Sequence, residues 1–145
     1  MKHYIFIALL MLGCKITTQK NLADTVFEYT ATTRGYFQKI VVKNQTIAVS
    51  NERGATTMPT ATQISKKDWA TITAATKKIK LENLPNLVAP SELRHTDAAA
   101  FATLTIFQNT KEYQSAQFDN GNPPAEIAEL VNMITKLAQK APSKK

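Results

Sequence analysis

DTVFEYTATTRGYFQKIVVKNQTIAVS, residues 24–50, decides the fold. Its first ten residues are rich in β-branched and aromatic types. Phe27, Tyr29 and Ala31 alternate with Glu28 and Thr30, the period of a strand with one buried face. Arg34-Gly35 interrupts the pattern and Tyr36–Lys43 resumes it, so a tight hairpin is expected there, with glycine free to take positive φ. Asn44-Gln45 is a second turn signal, after which Ile47 and Val49 share one face of Thr46–Ser50. Residues 24–33, 36–43 and 46–50 thus read as a three-stranded antiparallel meander.

Working toward the C-terminus, Asn51–Thr62 carries Gly54 and Pro59 without periodicity and reads as loop. Ser65-Lys-Lys-Asp68 matches a helix capping box. Trp69, Ile72, Thr76 and Ile79 then recur at helical spacing. Lys66, Lys67, Lys77, Lys78 and Lys80 lie off that stripe. Such a helix either covers a sheet with Trp69 in the core or rests on an anionic membrane surface. Leu81–Pro90, with two prolines and several leucines, reads as an irregular connection packed by its own side chains. A fourth strand is expected from about Ala98 to Phe107, although the alanines by themselves favour helix. Asn109-Thr110 turns the chain into a fifth strand over Lys111–Phe118. Asp119–Pro124 leads into a last helix, with Asn122 as N-cap and Pro123 at its first position. Ile127, Leu130, Val131, Ile134, Leu137 and Ala138 form its apolar stripe. The expected class is α+β: an antiparallel sheet of about five strands in the order β-β-β-α-β-β-α, with two helices on one face. It spans one domain, residues 24–140, followed by a disordered tail at 141–145.

Working toward the N-terminus, Lys2 precedes an unbroken apolar run of nine residues, Tyr4–Leu12. A membrane span needs about 20 apolar residues, whereas a run of this length suits the apolar region of an export signal. Leu10-Met-Leu-Gly13-Cys14 resembles the lipobox of bacterial lipoproteins, with Met11 standing where leucine is usual. The resemblance implies cleavage after residue 13, acylation at Cys14, and residues 14–23 as lipidated cysteine and tether. The nine-residue tether, Lys15–Ala23, reaches at most roughly 30 Å. Asp is absent from position 15, which by the same resemblance points to the outer membrane's periplasmic face. The implied partner is therefore the lipid bilayer, and the implied location is the cell envelope.

Removal of residues 1–13 leaves 132 residues, enough for one domain with a real core. Cys14 is the only cysteine and His95 the only remaining histidine. Cys/His sites for zinc, iron–sulfur or haem are excluded, and no cofactor or metal is expected. The mature chain keeps 17 basic against 11 acidic residues, a net +6. Outside the cytosol that charge suits anionic envelope polymers or headgroups, and no nucleic-acid partner is expected.

The densest polar cluster is Ser91-Glu-Leu-Arg94-His95-Thr-Asp97, with Asp119 close by if the fourth and fifth strands pair. Asp97, Asp119, Arg94 and His95 are the candidate catalytic set for acid–base hydrolysis. Ser91, His95 and an aspartate form a formal triad only if geometry joins them. The simpler reading is that these aspartates cap backbone amides at turns. Arg34 and Tyr36, at a hairpin tip, are the candidate recognition patch. The segments TTRGYF (32–37), KKDW (66–69), TDAAAFA (96–102) and FDNGNPP (118–124) resemble a group of small lipoproteins from Bacteroidota-type bacteria with no assigned activity. That resemblance implies an exported lipoprotein with one compact domain and carries no substrate. The functions in view are a tethered module binding an envelope protein or glycan, a small hydrolase, and an anionic-lipid-binding domain.

Overall fold

The computed structural model describes residues 22–142. The expected signal at 1–13, Cys14, most of the expected tether and residues 143–145 lie outside the described residues. The meander forms as β1 (Val26–Thr32), β2 (Phe37–Lys43) and β3 (Thr46–Ser50). A two-residue strand, β4 (Thr62–Gln63), closes its outer edge. Helix α1 (Lys66–Lys77) leads across to β5 (Phe101–Gln108), β6 (Lys111–Gln114) and β7 (Phe118–Asp119), and α2 (Ala125–Ala138) follows. All pairings are antiparallel, in the order β4-β3-β2-β1-β5-β6, with β7 also on β5. The most regular strand, β1, is central because the meander leaves on one side and the chain returns to the other.

Alternation becomes a layered core. Tyr29 stands opposite Ile40 and Leu104, and Phe27 opposite Val42 and Ile106. All six are fully buried. The helices cover this face. The Phe27 ring meets Trp69 of α1 edge-on at 6.2 Å, and α2 lies over β2 and β3. Ser65 caps α1, accepting from the Asp68 amide at 3.0 Å and donating to its carboxylate at 2.7 Å. Ile72 and Thr76 of the expected stripe are buried, while Trp69 and Ile79 pack at its margins. In α2, Ile127, Leu130, Val131, Ile134 and Ala138 are buried.

Several boundaries differ from expectation, each for a local reason. The strand expected from Ala98 begins at Phe101. A 3-10 turn, Leu93–Thr96, ends at Asp97 in the left-handed region (φ 57°), and the Ala98 amide donates back to Leu93 O at 3.1 Å. The expected fifth strand is really two, β6 and β7, separated by a β-bulge. Between the pairs Thr105–Gln114 and Ala102–Phe118, β5 spends two residues and its partner three. Ser115 Oγ accepts the Leu104 amide at 3.0 Å, and the Ala116 amide donates to Leu84 O at 3.1 Å. The bulge thereby grips the 3-10 turn Leu81–Asn86, which buries Leu81 and Leu84. Helix α2 starts at Ala125 with Pro124 in the cap position, so Asn122 is not its N-cap. Asn122 instead donates through Nδ2 to Ser91 Oγ at 2.7 Å.

Gly35 does not supply a left-handed turn; a four-residue loop, 33–36, closes on a 2.8 Å bond from the Thr33 amide to Tyr36 O. The left-handed residues sit in the other two hairpins, at Asn44 and Gln45 (φ 47° and 59°) and at Asn109 and Thr110 (φ 52° and 64°). Positive φ at both central positions matches the twist of the flanking strands. A further 3-10 turn, Leu22–Asp24, occupies the end of the span read as tether, and Ala141 packs against the core.

Candidate functional site

The strand registers define two ends of the sheet. At one, Thr32 stands opposite Phe37 and Phe101; at the other, Val26 stands opposite Lys43 and Phe107. The predicted polar cluster and the hairpin tip 33–36 are both at the Thr32 end, and the chain enters β1 at the Val26 end.

Strand β7 is what brings Asp119 to this cluster, since its pairing with Phe101 carries the side chain beneath the 91–97 loop. The residue is 1% exposed. Its Oδ2 accepts Ser91 Oγ at 2.6 Å and the Leu93 amide at 2.8 Å. Oδ1 accepts the Arg94 amide at 3.0 Å and the Arg94 guanidinium at 3.1 Å. Burial alone pushes this carboxyl upward. The bonds from Ser91, the Arg94 and Leu93 amides and the Arg94 side chain overcome that and hold it well below the usual carboxylate range. Arg94 is itself buried and also donates to Ser91 O at 2.7 Å, so the cluster ties the 3-10 turn to the end of β7.

The other predicted residues face elsewhere. Asp97 is exposed, and no hydrogen bond joins it to Asp119 among the described residues. His95 is exposed; its Nε2 lies 3.6 Å from Glu92 and its ring meets Phe101 edge-on at 5.8 Å. The Ser91 hydroxyl is engaged by Asp119 and Asn122 rather than by His95. The set therefore comes together as one buried ion pair with an exposed fringe. A carboxylate whose acceptor sites are filled by four donors is not presented to a substrate proton. Among the described residues no three His, Cys, Asp or Glu side chains converge as for a metal ion.

Tyr36 takes a different position. It is 40% exposed and, with Asn120, forms a saddle between two clefts. One, of about 440 Å³, runs past Thr33, Asp97 and Ala98–Ala100. The second, of about 290 Å³, runs past Gln38 to the Asn132 and Gln139 side of α2. Beneath the saddle the Tyr29 hydroxyl donates to Asn120 Oδ1 at 2.6 Å. Burial, helped by nearby Tyr36, drives the Tyr29 phenol above its ordinary range, while the neighbouring Gly121 amide pulls the other way. Burial also raises Tyr36. Arg34 is exposed and lines a shallow hollow with Arg53. The Arg53 guanidinium donates to Thr33 O and, at 3.1 Å, to Tyr36 O, and it lies over the Phe37 ring at 5.6 Å. It braces the loop that carries Tyr36. Sequence reading missed Arg53, Asn120 and the amides of the second cleft. Only Tyr29 left a trace, since a phenol in a core alternation has to find a partner for its hydroxyl.

At the opposite end Gln108 Nε2 donates to Thr25 Oγ1 at 3.2 Å, and Leu22, Lys77 and Gln108 line one small cavity. Lys43 and Lys111 end their strands there.

These features define a two-layer α+β domain whose Tyr36–Asn120 saddle is at the sheet end opposite the one where the chain enters. Compared with protein-family models and with curated proteins, the chain matches none. Among the described residues no helix is long and apolar enough to cross a membrane.

Proposed function

We propose that the chain is a cell-envelope lipoprotein, held to the bilayer through acylated Cys14 at the periplasmic face of the outer membrane. Its domain works as a non-enzymatic binding or accessory module for an envelope protein or glycan. One observation carries this reading: the chain enters at the Val26 end of β1, and the Tyr36–Asn120 saddle, with the larger cleft beside it, sits at its Thr32 end. Seven strand residues separate the two ends by roughly 20 Å. A tether at the first end turns the saddle away from the membrane, toward whatever the module holds. Lys43, Lys77 and Lys111 around the tether end suit anionic headgroups, at about 1 kcal/mol for each lysine near the surface. Trp69 packs on Phe27, which favours α1 as a core helix over one that inserts into lipid.

The hydrolase reading draws less support, because Asp119 is consumed by the fold. Two measurements test the proposal. Cells grown on labelled fatty acid should label the wild type and not Cys14→Ala; an unlabelled wild type removes the anchor. A photo-crosslinking residue at Tyr36 should capture a macromolecule in intact envelopes, and one at Lys111 should not. Equal capture at both positions, or none at Tyr36, removes the oriented binding end.

A further inference from the structure

The second cleft is distinguished by its chemistry. Four carboxamides line it from three parts of the fold: Gln38 on β2, Asn120 after β7, and Asn132 and Gln139 on and just after α2. Its lining includes no Asp, Glu, Lys, Arg or His, in a chain where 20% of residues are charged. A patch intended for an anion or a cation would use the side chains that this surface otherwise has in abundance. Carboxamides instead both donate and accept, as sugar hydroxyls do. The exposed Tyr36 ring at the rim offers an aromatic face beside those groups, the pairing of flat apolar surface with polar anchors that orients a small ligand.

Part of this lining is held in advance. The Tyr29 hydroxyl, held in place in the core, donates to Asn120 Oδ1 at 2.6 Å. That bond fixes the Asn120 amide with its NH₂ turned from Tyr29, and Nδ2 has no acceptor among the described residues. Asn132 and Gln139 are exposed and likewise make no side-chain hydrogen bond to a described residue. Asn120, already held by Tyr29, loses little freedom when a ligand engages it, whereas Asn132 and Gln139 still have side-chain rotamers to order.

We infer that the cleft between Tyr36 and α2 binds an uncharged, hydroxyl-rich ligand, a neutral oligosaccharide, through Gln38, Asn120, Asn132 and Gln139 with the sugar ring against Tyr36. This deepens the binding-module reading and rests on it for the choice of this end of the domain. The +6 charge of the mature chain then serves attachment and solubility at other surfaces, not recognition at this one.

The test titrates the full mature chain, with Cys14→Ser to keep it in solution. The probes are neutral oligosaccharides of glucose, mannose, galactose and N-acetylglucosamine, uronate-containing oligosaccharides, and an uncharged peptide. Amide NMR shifts report the binding site. A neutral sugar is expected to shift resonances around Asn120 and Asn132. Asn132→Ala and Tyr36→Ala should each weaken it about tenfold or more, and Asn132→Ala should do so without lowering Tm. Asn132 is an exposed helix position where alanine favours folding, so loss of binding there reports contact rather than unfolding. Asn132→Lys should weaken the neutral sugar as well; tighter binding of uronates to that variant with no neutral-sugar binding by the parent would overturn the inference. No neutral sugar bound at about 10 mM, binding of the peptide alone, or sugar binding indifferent to both alanine variants overturns it too. A silent sugar panel alongside protein capture at Tyr36 removes the glycan and leaves the binding end standing. Sugar binding without envelope capture at Tyr36 leaves the cleft chemistry and removes the oriented module.

Discussion

Asp119 and Asn120 are neighbours in sequence at one end of the sheet, yet they do opposite things. Asp119 turns inward, and four donors fill its carboxylate. Asn120 is exposed; Tyr29 holds one half of its amide and the other half faces a cleft. The first neighbourhood has more charge and more conspicuous residues. The second has more unpaired hydrogen-bonding capacity. What marks a binding surface is the capacity left over after folding, because a satisfied buried group has nothing further to offer a ligand.

The sharpest way to break this contrast is Asp119→Asn. It leaves Arg94 buried beside a neutral amide, and unpairing a buried charge is among the costliest substitutions. Thermal unfolding should show Tm reduced by roughly 10 °C or more. A smaller drop would mean that the cluster is peripheral to stability. The acid limb of the stability curve should change in the same variant. The native carboxyl loses its proton well below its unfolded pKa of about 3.9, so between those values the unfolded chain holds more protons than the folded one. The stability gained from Asp119 is fully present above the unfolded pKa and is lost as pH falls through the native one. Acid titration by circular dichroism should find wild type losing stability below about pH 4, with a shallower slope for Asp119→Asn.

Tyr29→Phe should have the next largest effect, about 0.5–1.5 kcal/mol in denaturant unfolding, for one neutral hydrogen bond. Because it frees the Asn120 amide, it should also weaken any ligand of the second cleft, which Asp119→Asn should do only through instability. The smallest effect belongs to Asp97→Asn. The side chain is exposed and asparagine accepts its left-handed φ of 57°. Stability, measured by denaturant unfolding, should stay within about 0.5 kcal/mol of wild type. Two aspartates at the same end of the sheet, one four residues before β5 and one paired with its first residue, would then give the largest and smallest responses to the same substitution.

The chain wrote its regular layers openly. The β1 alternation, the Ser65 cap, the α2 stripe and the asparagine-led hairpins are all local patterns, and local sterics and amphipathicity are enough to produce them. The bulge at Ser115 was hidden, because KEYQSAQF reads as one strand until the Leu81–Asn86 turn competes for the Ala116 amide. The alanine run was ambiguous for a similar reason: the turn ending at Asp97 engages the Ala98 amide before a strand can form. Arg94 and Asp119 were visible as a cluster, but whether they faced substrate or one another depended on contacts 25 residues apart.

By itself, then, the amino-acid order determined the α+β class, the three-stranded meander, both helices and the two asparagine-led hairpin turns, since each follows from interactions within a few residues. Only the tertiary structure decided that Asp119 is consumed by folding, that Tyr36 stands between two clefts, and that amides from β2, the 120 loop and α2 meet in one of them. Those outcomes depend on which distant groups arrive to satisfy a donor or acceptor, and that pairing exists only once the layers have packed.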